Sequence, residues 1–326
     1  MKAVRLHGVQ DLRVEEIAAP APPGPAEVTL RGTAAGICGS DLHNFRTGAW
    51  ISRAPSVAGH EFTGVVTAVG ADVRHVAPGD RVLVDSRHVC GVCAACRAGL
   101  SQVCERLGFL GEVIDGGFAE AVSLPARNVL PAPEGVADRH LAMAEPLAVA
   151  LHALNRLALP EGAPLVVTGC GPIGGLAALL AARRGHLVTV IDRNAARAAL
   201  VVQVTGARIG DLGRISARHA LDATGAPAVI AGLVAGLAPG GGLALVGIGH
   251  GKLDLDPVTL VEKEMALIGC HAFGQELAEA GALLAGLAPA LDALIAERIP
   301  LDAVPEAYGR HLAGAVTGLK TIIEVA

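Results

Sequence analysis

The sequence predicts an α/β protein of two domains, one β-rich and one built on a doubly wound parallel sheet. Three observations carry that expectation. The first 130 residues break into short alternating apolar runs separated by Gly and Pro, which is the pattern of a loop-rich β body. From Pro164 onward, strand-like apolar runs alternate with helical ones, which implies parallel strands joined by crossover helices. The composition shifts as well. Phe45, Trp50, Phe62, Phe109 and Phe118 lie early, Phe273 and Tyr308 lie late, and no Phe, Tyr or Trp stands between Cys170 and Cys270.

In order, "KAVRL", "EVTLRGTAAG", "EFTGVVTAVG", "DRVLVD" and "FAEAVSL" read as strands of the first domain. From about Ala137 to Leu159 the period becomes helical. "PLVVTG" is then a buried strand, "GPIGGLAALLAARRG" a helix, "HLVTVID" a second strand and "RNAARAALVVQVTG" a second helix. "HALDATG", "GGLALVGIG" and "MALIGC" supply further strands. The last fifty residues return to helix and mixed structure and end in an edge-like "KTIIEVA". If that tail rejoins the first domain, the middle is an insertion. The expected domains are 1–148 with 274–326, and 149–273.

A chain of 326 residues, 52% hydrophobic and 17% charged, has a large core and is not disordered. A net charge of −5 without a basic run argues against nucleic acid as a partner. The start, "MKAVRLHGVQDLRVEEI", lacks the apolar core of a signal peptide, so a cytoplasmic protein is expected. From Ala223 to Gly249 no residue is charged, a stretch long enough to span a bilayer. Pro227 and the turn signal in "PGGGLALVGIG" divide it into a buried helix, a turn and a strand, so no membrane partner is expected.

"VVTGCGPIGGLAALLAARRGHLVTVID" places Gly169, Gly171 and Gly174 in a G-x-G-x-x-G pattern, between a strand and a helix. Asp192 ends the next strand eighteen residues after Gly174. That context is what a dinucleotide-binding turn requires, with pyrophosphate at the helix N-terminus beside Pro172 and Ile173. Asp192 would accept from both ribose hydroxyls and repel a 2′-phosphate, which favours NAD over NADP. Arg193, directly after it, could meet a 2′-phosphate and pulls the other way, and Arg197 joins the candidate cofactor residues one turn on.

"RHVCGVCAACRAGLSQVCER" holds Cys90, Cys93, Cys96 and Cys104 within fifteen positions. Disulfides do not suit a cytoplasmic chain, and a redox pair needs one C-x-x-C near a βαβ unit. Four thiolates in one loop close a tetrahedral zinc shell with no position left open, which makes the site structural. Cys38 in "GICGSDLH", His60 and Glu61 in "GHEF", and Glu145 in "AEPLAVALH" are also competent zinc ligands. Spacing alone does not join these four, and each also suits an ordinary structural role.

With these motifs quoted, the chain resembles the zinc-dependent medium-chain dehydrogenases of the alcohol dehydrogenase superfamily. It is most similar to the polyol branch of sorbitol, L-idonate, butanediol and threonine dehydrogenases. "GICGSDLH", "GHEFTGVVTAVG", the four-cysteine lobe, "GGFAEAV", "AEPLAVALHAL" and "VTGCGPIGG" stand in family order over essentially the whole chain. The resemblance implies a GroES-like β-rich catalytic domain, with a structural zinc lobe at about 88–106, and a Rossmann domain, with the active site in the cleft between them. It implies Cys38, His60 and Glu61 as catalytic zinc ligands, Glu145 as an acid on the metal or its water, and Ser40 and His43 as a proton relay. It also implies hydride exchange between a secondary alcohol or polyol and NAD, and a homodimer or homotetramer, with an apolar edge strand such as "GGLALVGIG" or "MALIGC" pairing across subunits.

Two departures stand out. Where sorbitol dehydrogenases carry an Arg–Tyr pair, "LIGCHAF" reads Ala272–Phe273, which favours a smaller, less polar alcohol. Phe45, Trp50 and Phe118 are expected to line an apolar pocket of matching character. His152 is expected to pack within its helix, and His271 to lie near the nicotinamide or at a subunit contact. "GARIGDLGRISARHALDATGAP" is short where a strand, a helix and a strand usually stand, so a contracted crossover is expected. The alternatives are an NADPH-dependent zinc carbonyl reductase, which Arg193 supports, and a non-catalytic nucleotide- or zinc-binding protein on the same scaffold.

Overall fold

A computed structural model describes residues 1–325. It divides into two compact units, Met1–Glu145 with Leu277–Ala326, and Pro146–Glu276. The divisions fall at 145/146 and 276/277, where the sequence placed them at 148/149 and 273/274.

In the first unit the main sheet runs in the order Val129–Pro131, Arg81–Val84, Glu61–Val69, Glu27–Gly36, Lys320–Glu324, Ile295–Pro300, and Ala121–Pro125 pairs with Glu27–Gly36. Val28, Leu30, Phe62, Val82, Leu110, Phe118, Leu124, Tyr308 and Ile323 meet in one core cluster, each large side chain contributing about 1.5–3 kcal/mol by burial. The terminal strand corrects the edge-like reading of "KTIIEVA". It pairs antiparallel with Glu27–Gly36 on one side and parallel with Ile295–Pro300 on the other. Lys320, Thr321, Ile322 and Ile323 are all buried, so its backbone is satisfied on both sides rather than open to water.

The helix Leu277–Leu294 is the one element among the described residues long and apolar enough to cross a membrane. Its buried stripe of Leu277, Ala280, Leu284, Leu287, Leu291 and Leu294 has the spacing of a core-facing helix. Near its end Asp292 accepts from Arg139 Nε at 2.7 Å and faces His140 Nε2 at 2.8 Å. The Arg139 guanidinium, aided by His140, holds the Asp292 carboxyl down at about 2. Because folding lowers this pKa, protons bind the unfolded chain first. The stabilisation is therefore present above pH ~4 and lost as the pH falls through about 2. Asp292 is nearly half exposed, so screening reduces the effect to about 1 kcal/mol. Asp292→Asn is expected to lose that amount at neutral pH and to flatten the pH dependence of the urea midpoint in that window.

The second unit is a six-stranded parallel sheet in the order Arg208–Ile209, Val188–Ile191, Leu165–Thr168, Ala217–Asp222, Leu237–Leu245, Ala266–Gly269. Numbered along the chain this is 3-2-1-4-5-6, the doubly wound dinucleotide-binding order. The crossover from the third strand to the fourth shrinks to the 3₁₀ turn Leu212–Arg214. Leu212 closes on Gly232 and Ile215 on Gly236 of the helix Pro227–Gly236, so the short segment caps the core where a crossover helix would lie. The uncharged stretch divides as its proline and glycines require, into Pro227–Gly236 and Leu237–Leu245. The expected turn becomes a bulge. Leu237 pairs with Ala217 and Gly242 with His219, so four residues on one strand stand opposite one on the other.

Candidate metal centre and dinucleotide turn

The sequence "GICGSDLH" turns from strand into the helix Gly39–Thr47, with Cys38 as its N-cap. Asp41, three residues on, accepts from Cys38 N–H through Oδ2 at 2.9 Å, the reciprocal half of a capping box. Its other oxygen faces His60 Nδ1 at 3.2 Å. One carboxylate therefore fixes both the start of the helix and the orientation of the imidazole. His60 Nε2 is left facing Ser40 Oγ at 3.4 Å, and Ser40 donates to Cys38 Sγ at 3.1 Å.

Glu61 follows His60 at the start of the strand Glu61–Val69. The ligand atoms of Cys38, His60 and Glu61 lie within 4.8 Å of one another. One partly buried sulfur donor with one buried nitrogen and one buried oxygen donor suits zinc, and three protein ligands leave a position for a substrate oxygen. Burial alone would lower the His60 pKa, but the charges of Asp41 and Cys38 outweigh it and hold the imidazole well above its ordinary value. A metal binds the neutral imidazole, so at His60 it competes with a proton.

Glu145, expected beside the metal, stands outside this group of three. It is buried, and Ser86 Oγ donates to its Oε1 at 2.8 Å. Burial pushes its carboxyl up to about 7, against the pull of His60's charge. His43 lies one helical turn beyond Ser40, its ring 4.9 Å from Trp50. The apolar pocket expected of Phe45, Trp50 and Phe118 needs correction. Phe118 is fully buried in the core cluster, and Phe45 packs edge-on against Tyr308 at 5.4 Å, leaving Trp50 alone beside His43. Phe273 is likewise fully buried and Ala272 adopts a left-handed φ of 49°, while His271 is exposed. His152 does more than pack: its Nδ1 pairs with Glu276 at 2.9 Å.

Two partners escaped the sequence. Asp41 left a signal, the C-x-x-D spacing of a capping box. Lys320 left almost none, being a single lysine at the head of an apolar strand. Its Nζ donates to both oxygens of Glu61, at 2.6 and 2.8 Å, and to the Ile37 carbonyl at 3.0 Å.

In the cysteine lobe the four sulfurs also gather within 4.8 Å. Cys104 Sγ lies 3.5 Å from Cys90 Sγ and 3.9 Å from Cys93 Sγ, far beyond the ~2.05 Å of a disulfide. Backbone N–H groups of Cys90 and Arg106 point at Cys104 Sγ, and that of Cys96 at Cys93 Sγ. N–H groups of Val92 and Cys93 bring the Cys90 thiol down to about 6, while burial and the neighbouring thiols push Cys96 up to about 12. Such a crowded set shares protons until a cation replaces them, and four closed sulfur donors fit a structural zinc. The lobe is tied to the sheet by Arg87, which binds Asp85 with two nitrogens and Ser101 with a third.

In the second unit the loop Gly169–Gly171 enters the helix Pro172–Arg183, with Gly171 as N-cap and Pro172 in the first turn. A Cβ on Gly174 would fall 1.8 Å from the Gly169 carbonyl oxygen, so helix and strand meet this closely only with glycine there. Ile173 sits in the first helical turn, where unpaired N–H groups attract phosphate. Asp192 accepts from Cys170 N–H at 2.5 Å and Asn194 N–H at 2.7 Å. Each carboxylate oxygen is thereby oriented and keeps a free lone pair. Arg193 is exposed. The Arg197 amide caps onto Asn194, and its charge reaches Cys170.

The family model for the alcohol dehydrogenase GroES-like domain matches residues 24–134. The chain is 30% identical over 304 residues to L-galactonate-5-dehydrogenase of Escherichia coli K12, covering 89% of each chain. Its fold is similar to that of a zinc-binding dehydrogenase of Sinorhizobium meliloti 1021 bound to NADP, with 29% identity, a TM-score of 0.92 and 99% of each chain covered. An alcohol dehydrogenase of Escherichia coli CFT073 complexed with NADH matches equally well in fold, with 27% identity, a TM-score of 0.92 and 100% and 99% of the two chains covered.

Proposed function

The chain belongs to the zinc-dependent medium-chain alcohol and polyol dehydrogenases, oxidoreductases of secondary alcohols, and from that premise we propose that it oxidises a neutral vicinal diol or sugar alcohol with NAD. The observation that carries the reading is the convergence of Cys38, His60 and Glu61 within 4.8 Å. Cys38, His60 and Glu61 would hold the metal. Bound zinc supplies Lewis acidity toward the alcohol oxygen. Ser40 Oγ, already touching Cys38 and His60, takes up the alcohol proton and passes it toward His43. Asp41 keeps His60 in one orientation throughout. Glu145 is buried within reach of the same charges, with its Oε1 held by Ser86. The sequence departure at positions 272–273, Ala–Phe in place of an Arg–Tyr pair, supports a neutral substrate.

The preference for NAD rests on Asp192, whose anchored carboxylate suits two ribose hydroxyls and repels a 2′-phosphate. The exposed Arg193 favours a second reading, use of NADPH by a carbonyl reductase. Asp192→Asn keeps one anchored oxygen and removes the charge. It is expected to raise the KM for NAD about tenfold and to erode discrimination against NADP by about 10–100-fold, the worth of one or two charge-assisted hydrogen bonds. Steady-state kinetics with both cofactors checks this; an unchanged ratio would contradict the assignment.

The substrate class is tested with vicinal diols, sugar alcohols, idonate, threonine and simple secondary alcohols, with NAD and NADP, before and after chelation. Chelator-sensitive NADH formation with the diols or sugar alcohols is expected. Turnover confined to ketone and NADPH would establish the reductase. No turnover in either direction by zinc-loaded protein would leave a binding protein on this scaffold.

A further inference from the structure

We propose that Lys320 is a placeholder for the catalytic metal: it neutralises Glu61 while the site is empty and competes with the metal for that carboxylate when the site fills. This inference rests on the reading of Cys38, His60 and Glu61 as a metal centre. Lys320 and Glu61 are each 1% exposed. The ammonium has three donors, and all three are spent within the site, two on the Glu61 oxygens and one on the carbonyl of Ile37, the residue before Cys38. Space for the pair is cut into the neighbouring strand. A Cβ on Gly36 would lie 2.5 Å from Glu61 Oε2 and 3.3 Å from Lys320 Cδ, so a side chain at position 36 would force the pair apart.

The energetic consequence depends on what else faces Glu61. A buried carboxylate without a counter-charge is strongly disfavoured. Lys320 supplies that counter-charge through hydrogen bonds to both Glu61 oxygens. A divalent cation held by Cys38, His60 and Glu61 would neutralise the same carboxylate a second time and repel the ammonium. Lys320 therefore stabilises the empty site more than the filled one. By linkage, whatever favours the empty state weakens binding of the ligand. The device keeps the site assembled before metal arrives and makes the metal exchangeable, whereas the four-cysteine lobe has no lysine held against its sulfurs among the described residues.

The test is a zinc titration of the full chain against a chromophoric chelator, with wild type, Lys320→Met, Lys320→Arg and His60→Ala. In Lys320→Met the dissociation constant of the site removed by His60→Ala is expected to fall at least about tenfold. The affinity of the four-cysteine site is expected to stay unchanged. The melting temperature of Lys320→Met is expected to fall by several degrees with the site empty and to recover as it fills. Lys320→Arg, which keeps the charge, is expected to follow wild type. Equal or weaker binding in Lys320→Met overturns the placeholder role; weaker binding would make Lys320 an aid to Glu61 as a ligand. Should Lys320→Met fail to fold, wild type labelled with ¹⁵N at lysine side chains decides. The Lys320 ammonium signal is expected to move when the second equivalent of zinc binds, and an unmoved signal overturns the proposal. Wild type that binds one equivalent, unaffected by His60→Ala, overturns the metal-centre reading and this inference with it.

Discussion

Cys38→Ser is expected to lower kcat/KM for the alcohol by at least about 10³-fold while leaving the fold intact. Serine keeps an oxygen at the helix N-cap, so the helix Gly39–Thr47 and the hold of Asp41 on His60 survive. The sulfur donor is lost, and with it one of the three candidate ligands and the group to which Ser40 donates. A 10³-fold loss corresponds to about 4 kcal/mol, within the several kcal/mol that a Lewis acid contributes to charge stabilisation. Metal content measured alongside is expected to fall from two equivalents per chain toward one, the remaining equivalent belonging to the cysteine lobe. Near-wild-type turnover with one equivalent would remove the metal from the reaction.

Cys104→Ser is expected to be the most destabilising single change in the first unit. Cys104 is the one buried sulfur of its lobe, it lies closest to Cys90, and two backbone N–H groups point at it. Structural zinc in small peptides contributes about 10–16 kcal/mol to folding. The lobe here keeps part of its order through Arg87, Asp85 and Ser101, so a drop in melting temperature of about 10 °C or more is expected rather than global unfolding. Limited proteolysis should then cut between residues 91 and 106, where wild type resists. Unchanged melting and unchanged resistance would show that the lobe is held without its metal.

The parts of this molecule that were legible in its sequence are those whose cause is local. The glycine turn could be read because its causes are local: Gly169 takes a left-handed φ of 87°, and Gly174 lies too close to the Gly169 carbonyl for any side chain. The cysteine lobe could be read because four thiols within fifteen positions have few other uses. The short crossover at Leu212–Arg214 was visible as missing length. Misreadings came where long-range pairing decides. "KTIIEVA" has the composition of an edge strand, yet strands from both ends of the chain enclose it. Lys320 meets Glu61 across 259 positions, and no periodicity announces such a partner. Phe118 was given to a pocket on its aromatic character, but the core claimed it. Glu145 sits near the metal ligands in charge but bonds to Ser86, a residue with no motif of its own.

The central claim is that this chain moves a hydride from a secondary carbinol to a nicotinamide under control of the metal held by Cys38, His60 and Glu61. A carbinol-deuterated vicinal diol, incubated with NAD and the zinc-loaded protein, tests it most directly by mass spectrometry of the reduced cofactor. Deuterium is expected in the cofactor, with a slowed rate, and Cys38→Ser or chelation is expected to abolish the transfer. Deuterium released to solvent, or transfer that persists in Cys38→Ser, would contradict the account.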